Sequence, residues 1–255
     1  MTEVLYELDG HVAVLTLNRP EQRNAVNPEL TTAMDLAMGR FEADPDAWVA
    51  VLTAAGPNFC AGADLKALAA GRAAELSTEQ GGFAGFVRYP RTKPVIAAVR
   101  GFALAGGCEL VLGCDLVVAG DDVQFGLPEV TRGIVAAAGG LFRLPRTIPA
   151  ARAIELILTA DRMGVEEAHR WGMVNHMVAP DDVLARAREL AERICLNAPL
   201  AVRASLAIAR EAARLDDEQA WRRSAAAMEA VRGSEDAKEG VTAFVDKRAA
   251  RWTGR

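Results

Sequence analysis

Histidine, cysteine and aromatic side chains are scarce in this 255-residue sequence, and each shortage removes a class of function. The three histidines, His11, His169 and His176, show no metal-ligand spacing. The four cysteines, Cys60, Cys108, Cys114 and Cys195, form no CxxC pair, so they read as reduced, small core residues of a cytoplasmic protein. Aromatics make up 5% of the chain, too few for a stacking platform on single-stranded nucleic acid. No GxSxG elbow and no GxGxxG fingerprint is present, which sets aside serine-hydrolase and dinucleotide-binding chemistry. A basic excess is also missing: 29 Lys and Arg face 34 Asp and Glu, a net charge of −5 that argues against a nucleic-acid partner. An anionic ligand would therefore need local groups to hold it, not the net field. The opening MTEVLYELDG has no basic segment before an apolar run, so it does not read as a signal peptide. The most apolar stretch, Phe102 to Ala119, is interrupted by Glu109 and Asp115, and no window has the length of a clean membrane span.

What is present is an alternation of strand and helix signals. Val4, Tyr6 and Leu8 lead to Asp9-Gly10 and then to Val12, Val14, Thr16 and Asn18, the pattern of a hairpin. Leu30, Met34, Ala37 and Phe41 recur at helical spacing, and Trp48 to Thr53 reads as a buried strand. A short helix is expected over Ala63 to Ala70, and the Gly-rich residues 71–92 predict a helix interrupted by mobile loops. Pro94 to Val99 reads as a strand, Gly106 to Gly113 as a helix and Leu116 to Ala119 as a strand. From Pro145 onward the signal turns helical, with an apolar stripe from Val183 to Ile194. A last helix starts at the Ser234 cap and carries Lys247 and Arg248 late. The expected organisation is α/β: a β/α core over 1–195, then a helical region over 196–255.

Three segments could carry chemistry. In the first, a strand enters the turn Ala105-Gly106-Gly107, which opens a helix. Small residues let a ligand approach the backbone, and the first N–H groups of a helix lack internal partners. Glu109 follows in an otherwise apolar run. It either satisfies free helix N–H groups or is a desolvated carboxylate tuned for proton transfer. In the second, Phe125-Gly126-Leu127-Pro128-Glu129, Glu129 stands on a Pro-started turn. It is a solvated carboxylate unless it meets Glu109 across a pocket, where two carboxylates in different environments make an acid/base pair. In the third, Cys60-Ala61-Gly62-Ala63-Asp64-Leu65, small residues again precede a helix. The Ala63 N–H is a second candidate oxyanion donor. Asp64 reads more simply as a helix N-terminal stabiliser, and Cys60 as inert packing.

Taken together these pieces resemble the enoyl-CoA hydratase/isomerase (crotonase) superfamily over essentially the whole chain. Leu17-Asn18-Arg19-Pro20 with Asn24-Ala25 is similar to the family's first CoA-binding loop, and Ala61 to Leu65 to its first oxyanion loop. Ile96 to Asp115 is similar to its long central signature, and Phe125 to Glu129 to its second carboxylate motif. Gly81 to Gly85, Arg162 to Gly172 and the final Trp252-Thr253-Gly254-Arg255 look like the carnitinyl-CoA dehydratase branch. Ala136 stands where many members have Pro, which leaves the loop after Glu129 less stiff.

The resemblance implies a spiral of β-β-α units with a helical C-terminal trimerisation part. It implies that the Ala63 and Gly106 N–H groups bind a thioester oxygen and that Glu109 and Glu129 are catalytic. Asn24, Ala25, Ala61, Asp64, Leu65 and Gly107 would contact substrate, and Phe244 and Lys247 would reach the CoA of a neighbouring subunit. Retention of both glutamates favours hydration of a trans-2-enoyl-CoA. A carnitinyl-CoA dehydratase-like hydro-lyase, a 3,2-enoyl-CoA isomerase and a non-catalytic acyl-CoA-binding protein are the rivals. An acyl-CoA substrate is the expected small-molecule partner, with no separate cofactor, no metal, no membrane and a homotrimer or dimer of trimers.

Overall fold

A computed structural model describes residues 2–255. The two-residue loop Gly10-His11, one residue on from the expected Asp9-Gly10 because Asp9 pairs with Val12 as the last strand residue, joins β1 (Val4–Asp9) to β2 (Val12–Leu17) as an antiparallel pair, with Gly10 at φ +55°. Helix α1 (Pro28–Ala43) starts at Asn27, whose side chain accepts from the Leu30 N–H while Pro28 occupies the first turn. β3 (Val49–Ala54) and the one-turn α2 (Leu65–Ala69) follow. The expected helix over residues 71–92 does not form. A 3-10 turn over Ala73–Leu76 leads instead into a small hairpin of β4 (Ser77–Thr78) and β5 (Gly82–Phe83). Positive φ at Gly82, Ala84 and Gly85 breaks any helical run there, and Gly81 lies flush against the Gly85 backbone.

The chain then repeats strand, strand, helix. β6 (Val95–Val99), β7 (Phe102–Leu104) and α3 (Gly106–Gly113) make one unit. β8 (Leu116–Gly120), β9 (Gln124–Gly126), a 3-10 turn over Pro128–Arg132 and α4 (Gly140–Thr147) make the next. After α5 (Ala150–Thr159), two three-residue strands break the helical stretch expected from Pro145: β10 (Arg162–Gly164) and, beyond α6 (Val165–Arg170), β11 (His176–Val178). They are too short to show a period, and they form by adding to edges that already exist. β11 pairs with β8, and β10 with β9. α7 (Val183–Cys195), α8 (Pro199–Glu211), α9 (Asp217–Arg232) and α10 (Glu235–Val245) complete the chain. This is the expected α/β spiral of β-β-α units with a helical C-terminal part.

A six-stranded sheet runs β1-β2-β3-β6-β8-β11, parallel except for the first pair, and a three-stranded sheet runs β10-β9-β7. Both faces of the large sheet are covered, so its central strands are near-continuous apolar runs. Alternate side chains divide between two cores. Val12, Val14, Val49, Val51, Ile96 and Val118 pack against Val183, Ala187 and Ala191 of α7. Ala13, Leu15, Leu17, Leu52, Ala97 and Val99 face Met34, Met38 and Phe41 of α1, with Phe59 and Phe125 of the neighbouring segments. At the end of α8, Arg210 grips Asp115 with two bonds of 2.7 Å and reaches the Arg91 and Lys93 carbonyls, tying the helical region to the edge of the core. α10 stops at Val245, short of Lys247, which has φ +52°. Among the described residues no helix is long and apolar enough to cross a membrane.

Candidate active site

Residues 22–25 and 61–88, the start of α3 with the three-stranded sheet beside it, and residues 128–143 line a cavity of about 790 Å³. One wall is backbone. Gly62, at φ +95°, packs so tightly on the next loop that a Cβ there would lie 2.7 Å from the Ala105 Cβ and 3.1 Å from the Gly106 nitrogen. The segment before α2 and the start of α3 are thereby pressed together, with Ala63 and Gly106 both lining the cavity. Neighbouring N–H groups are consumed: Val26 donates to the Gly62 carbonyl, Asp64 to the Val26 carbonyl, and Ala105 to the Gly126 carbonyl. Among the described residues the Ala63 and Gly106 N–H groups have no acceptor within the protein. Two adjacent unused donors, one at a helix start, form a place for a negative oxygen. Ala105 holds φ +51° and ψ −128°, a strained conformation for a residue with a Cβ. Glycine is obligatory just after it, since a Cβ at Gly106 would fall 2.4 Å from the Phe83 ring, and one at Gly107 would fall 2.2 Å from the Cys60 carbonyl.

The same cavity is lined by the carboxylates. Glu109 sits one turn into α3 and is 3% exposed; its Oε1 accepts from the Gly140 N–H at 2.9 Å. Burial pushes its pKa up from 4.5 to about 7; the N–H groups of Gly140 and Ala138 and the Arg143 cation pull against that rise, and the charge of Glu129 adds to it. Glu129 is 6% exposed on the turn that Pro128 starts. Its Oε2 is buried with no hydrogen-bond partner among the described residues, and burial raises its pKa as well. Both glutamates line the cavity that Ala63 and Gly106 face. Two desolvated carboxyl groups in unequal environments can act as one acid and one base. No group of three His, Cys, Asp or Glu side chains among the described residues could hold a metal ion.

The other sequence candidates divide. Ala25, Ala61 and Leu65 line the cavity. Asn24 does not: it is fully buried, its Oδ1 accepts from the Arg19 N–H, and its Nδ2 donates to the Ala55 and Asn58 carbonyls, so it braces the loop that presents Ala25. Asp64 also turns away, capping α2 through the Lys66 N–H and pairing with Arg19 at 3.1 Å. Gly107 supplies close packing, not a lining surface. Phe244, 86% exposed, and Lys247 lie outside the cavity. Arg248 is occupied by Glu239 and Asp246. The Cys60 thiol donates to the Asn24 carbonyl, and burial lifts its pKa to about 12, which leaves it unreactive. Phe142 and Arg143, which sequence reasoning passed over, also line the cavity, as do Phe83 and Arg88 of the Gly-rich stretch. Only the position of Phe83 beside the glycines of a turn hints at such a role.

Comparison with known proteins decides the ancestry. The family model described as enoyl-CoA hydratase/isomerase matches residues 7–255. The chain belongs to the enoyl-CoA hydratase/isomerase family. Among curated members, a carnitinyl-CoA dehydratase of Proteus mirabilis (strain HI4320) is 41% identical over 252 residues, 96% of each chain. Among solved structures of the family, an enoyl-CoA hydratase from Mycobacterium tuberculosis H37Rv superposes with a TM-score of 0.96 at 45% identity, covering 100% of both chains. A probable enoyl-CoA hydratase/isomerase from Mycobacterium abscessus gives 0.94 at 47% identity, again over 100% of each. Family membership thus covers the whole of the fold in which the cavity is built.

Proposed function

We propose that this family member is a hydro-lyase, an enoyl-CoA hydratase that reversibly adds water in the syn sense across a trans-2-enoyl-CoA to give a 3-hydroxyacyl-CoA. The observation that carries the reading is the pair of buried glutamates, Glu109 and Glu129, in one cavity with two unused backbone donors. The thioester oxygen binds the Ala63 and Gly106 N–H groups. As electron density leaves C3, the oxygen becomes enolate-like and the two donors stabilise it. Loss of one such donor costs on the order of 3–4 kcal/mol of barrier. Water lies between the carboxyl groups. Glu109, oriented by the Gly140 N–H, takes its proton as oxygen bonds to C3, and Glu129 delivers a proton to C2. A pair of this kind titrates as a unit, so either residue can begin as the acid in the reverse direction. Isomerisation of a 3-enoyl-CoA needs one carboxylate, and two at the same cavity favour hydration.

Dehydration of a carnitinyl thioester is the same chemistry on a different acyl group, and the name of the curated relatives favours it. The lining argues the other way. Apart from the two glutamates, every charged side chain around the cavity is an arginine: Arg23, Arg88, Arg132, Arg143 and Arg162. The Phe142 ring is already flanked by Arg143 and Arg146. A trimethylammonium group would meet like charge there, so an uncharged enoyl group fits better. Arg23, Arg88, Arg132 and Arg162 would supply local cations for the phosphates of CoA, which an acidic chain needs. We also propose the homotrimer or dimer of trimers that the family likeness implies. The exposed Trp221 and Met228 of α9 and Val241, Phe244 and Val245 of α10 would meet a neighbouring copy. The test is turnover of crotonyl-CoA beside its 4-trimethylammonio analogue. Hydration of the first at the higher kcat/KM supports the reading; no hydration of either sinks it.

A further inference from the structure

Arg143 stands in the second turn of the cavity's helix α4 with no carboxylate partner among the described residues. It is half-buried, and its bonds are to main chain: Nη2 donates to the Val87 carbonyl at 2.6 Å, and Nη1 to the Ala138 carbonyl at 3.4 Å. Residue 139 must be glycine for this reach, because a Cβ at Gly139 would fall 2.7 Å from Nη1. The peptide unit that Arg143 grips belongs to the segment that holds Glu109, for Ala138 and Gly140 direct their N–H groups at that carboxylate. The other grip is equally placed. Val87 ends the turn that carries Phe83, its N–H donates to the Phe83 carbonyl, and the Phe83 ring lies flush on Gly106. One guanidinium thus spans the support of the carboxylate and the support of the oxyanion donor.

We propose that Arg143 is the positioning residue of this site: it locks residues 138–140 to the Phe83–Val87 turn, so that Glu109 and the Gly106 N–H keep one relative placement. The proposal rests on the hydratase reading for its kinetic consequence, but not for its physical one. The charged groups around it are few. Glu109 is faced by Glu129 and Arg143, with the Cys108 thiol beside it. Arg143 is faced by Glu109, Arg91, Arg214 and the Cys114 thiol, and Arg91 is itself paired with Asp115. The Gly140 and Ala138 N–H groups offset the burial of Glu109 most, and Arg143 both adds its charge to theirs and holds the segment that carries them. Removing Arg143 disfavours the carboxylate form and moves the Glu109 titration to higher pH.

The test uses the full chain and three readouts: kcat and KM on crotonyl-CoA, the pH profile, and a 13C NMR titration of the Glu109 carboxyl. Arg143→Gln is expected to lower kcat by about 10–100-fold with KM roughly unchanged. Its Glu109 titration and the rising limb of its pH profile are expected to move upward. Arg143→Lys keeps a cation but replaces two separate Nη donors with a single Nζ on a shorter side chain, so it is expected to titrate like the parent and recover only part of kcat. A parent-like titration in Arg143→Gln, a parent-like kcat in either variant, or a loss carried by KM would overturn the proposal. If Arg143→Gln does not fold, Arg143→Lys decides alone by the same criteria. A parent enzyme silent on every enoyl-CoA refutes the hydratase reading instead, and the substrate-free titration still judges Arg143.

Discussion

Replacing Glu109 with Gln separates what the carboxylate contributes to folding from what it contributes to chemistry. In the folded chain the Glu109 pKa stands at about 7 against an ordinary 4.5. A raised carboxyl pKa means that the native state binds the proton more tightly than the unfolded chain. The neutral group is therefore no liability below pH 4.5, and stability is lost as pH rises through the interval up to about 7. Each pH unit of difference corresponds to about 1.4 kcal/mol, so ionised Glu109 costs the fold about 3 kcal/mol at pH 8 and above. Gln is isosteric, uncharged and still accepts the Gly140 N–H, so Glu109→Gln is expected to stabilise the protein by up to about 3 kcal/mol at pH 8.5 and by close to nothing at pH 4.5. Urea unfolding at the two pH values, with the m-value held constant, reads the difference directly. A stability gain that is the same at both pH values, or a loss at pH 8.5, would refute the claim that burial of this carboxyl group is what sets its pKa.

The same titration governs catalysis. kcat/KM for hydration is expected to fall about tenfold per pH unit below pH 7, with the rise levelling above it; a flat profile from pH 5 to 8 would contradict Glu109 as base. Gly106→Ala keeps the N–H but puts a methyl into the Phe83 ring, displacing the donor, and should lower kcat/KM by about 10²; full activity would show that the close fit of Phe83 on Gly106 does not fix the donor's placement. Ala105→Gly should raise the unfolding midpoint, because release of strain of about 1–3 kcal/mol exceeds the extra freedom glycine gives the unfolded chain; an unchanged or lower midpoint would show that φ +51° is not strained here. Asn24→Ala leaves the Ala55 and Asn58 carbonyls and the Arg19 N–H without partners and should cost about 2–4 kcal/mol of stability; a stable variant with a raised KM would make Asn24 a substrate contact after all.

Much of the fold follows from local rules that leave a mark in the sequence. Asp9-Gly10 marks its hairpin to within one residue, Asn27-Pro28 starts α1, and the apolar runs of β2, β3 and β6 read as strands because both faces are buried. The small-residue turns before α2 and α3, Glu109 in an apolar helix and Glu129 after a proline were legible for the same reason: each breaks the pattern around it. What stayed hidden depends on contacts between distant segments. β10 and β11 are three residues each and exist through pairing with β9 and β8. Residues 73–83 have the composition of a broken helix, yet glycines at positive φ and close backbone packing make a turn and a hairpin. Asn24 looks like a ligand contact on a loop, but its side chain is consumed by the Arg19 N–H and the Ala55 and Asn58 carbonyls, whereas Asp64 caps α2 as its place before the helix suggests. Arg143 reads as an ordinary helical charge until the Val87 and Ala138 carbonyls are found within its reach.

The central claim is that Glu109 and Glu129 jointly move water onto an enoyl thioester. Incubation with crotonyl-CoA in 18O-labelled water, with the product analysed by mass spectrometry, tests it most directly. One solvent oxygen should appear on C3 with the parent enzyme, and the rate should fall by at least about 10² in Glu109→Gln and in Glu129→Gln alike. Double-bond migration without label, or near-parent incorporation in both variants, would contradict it.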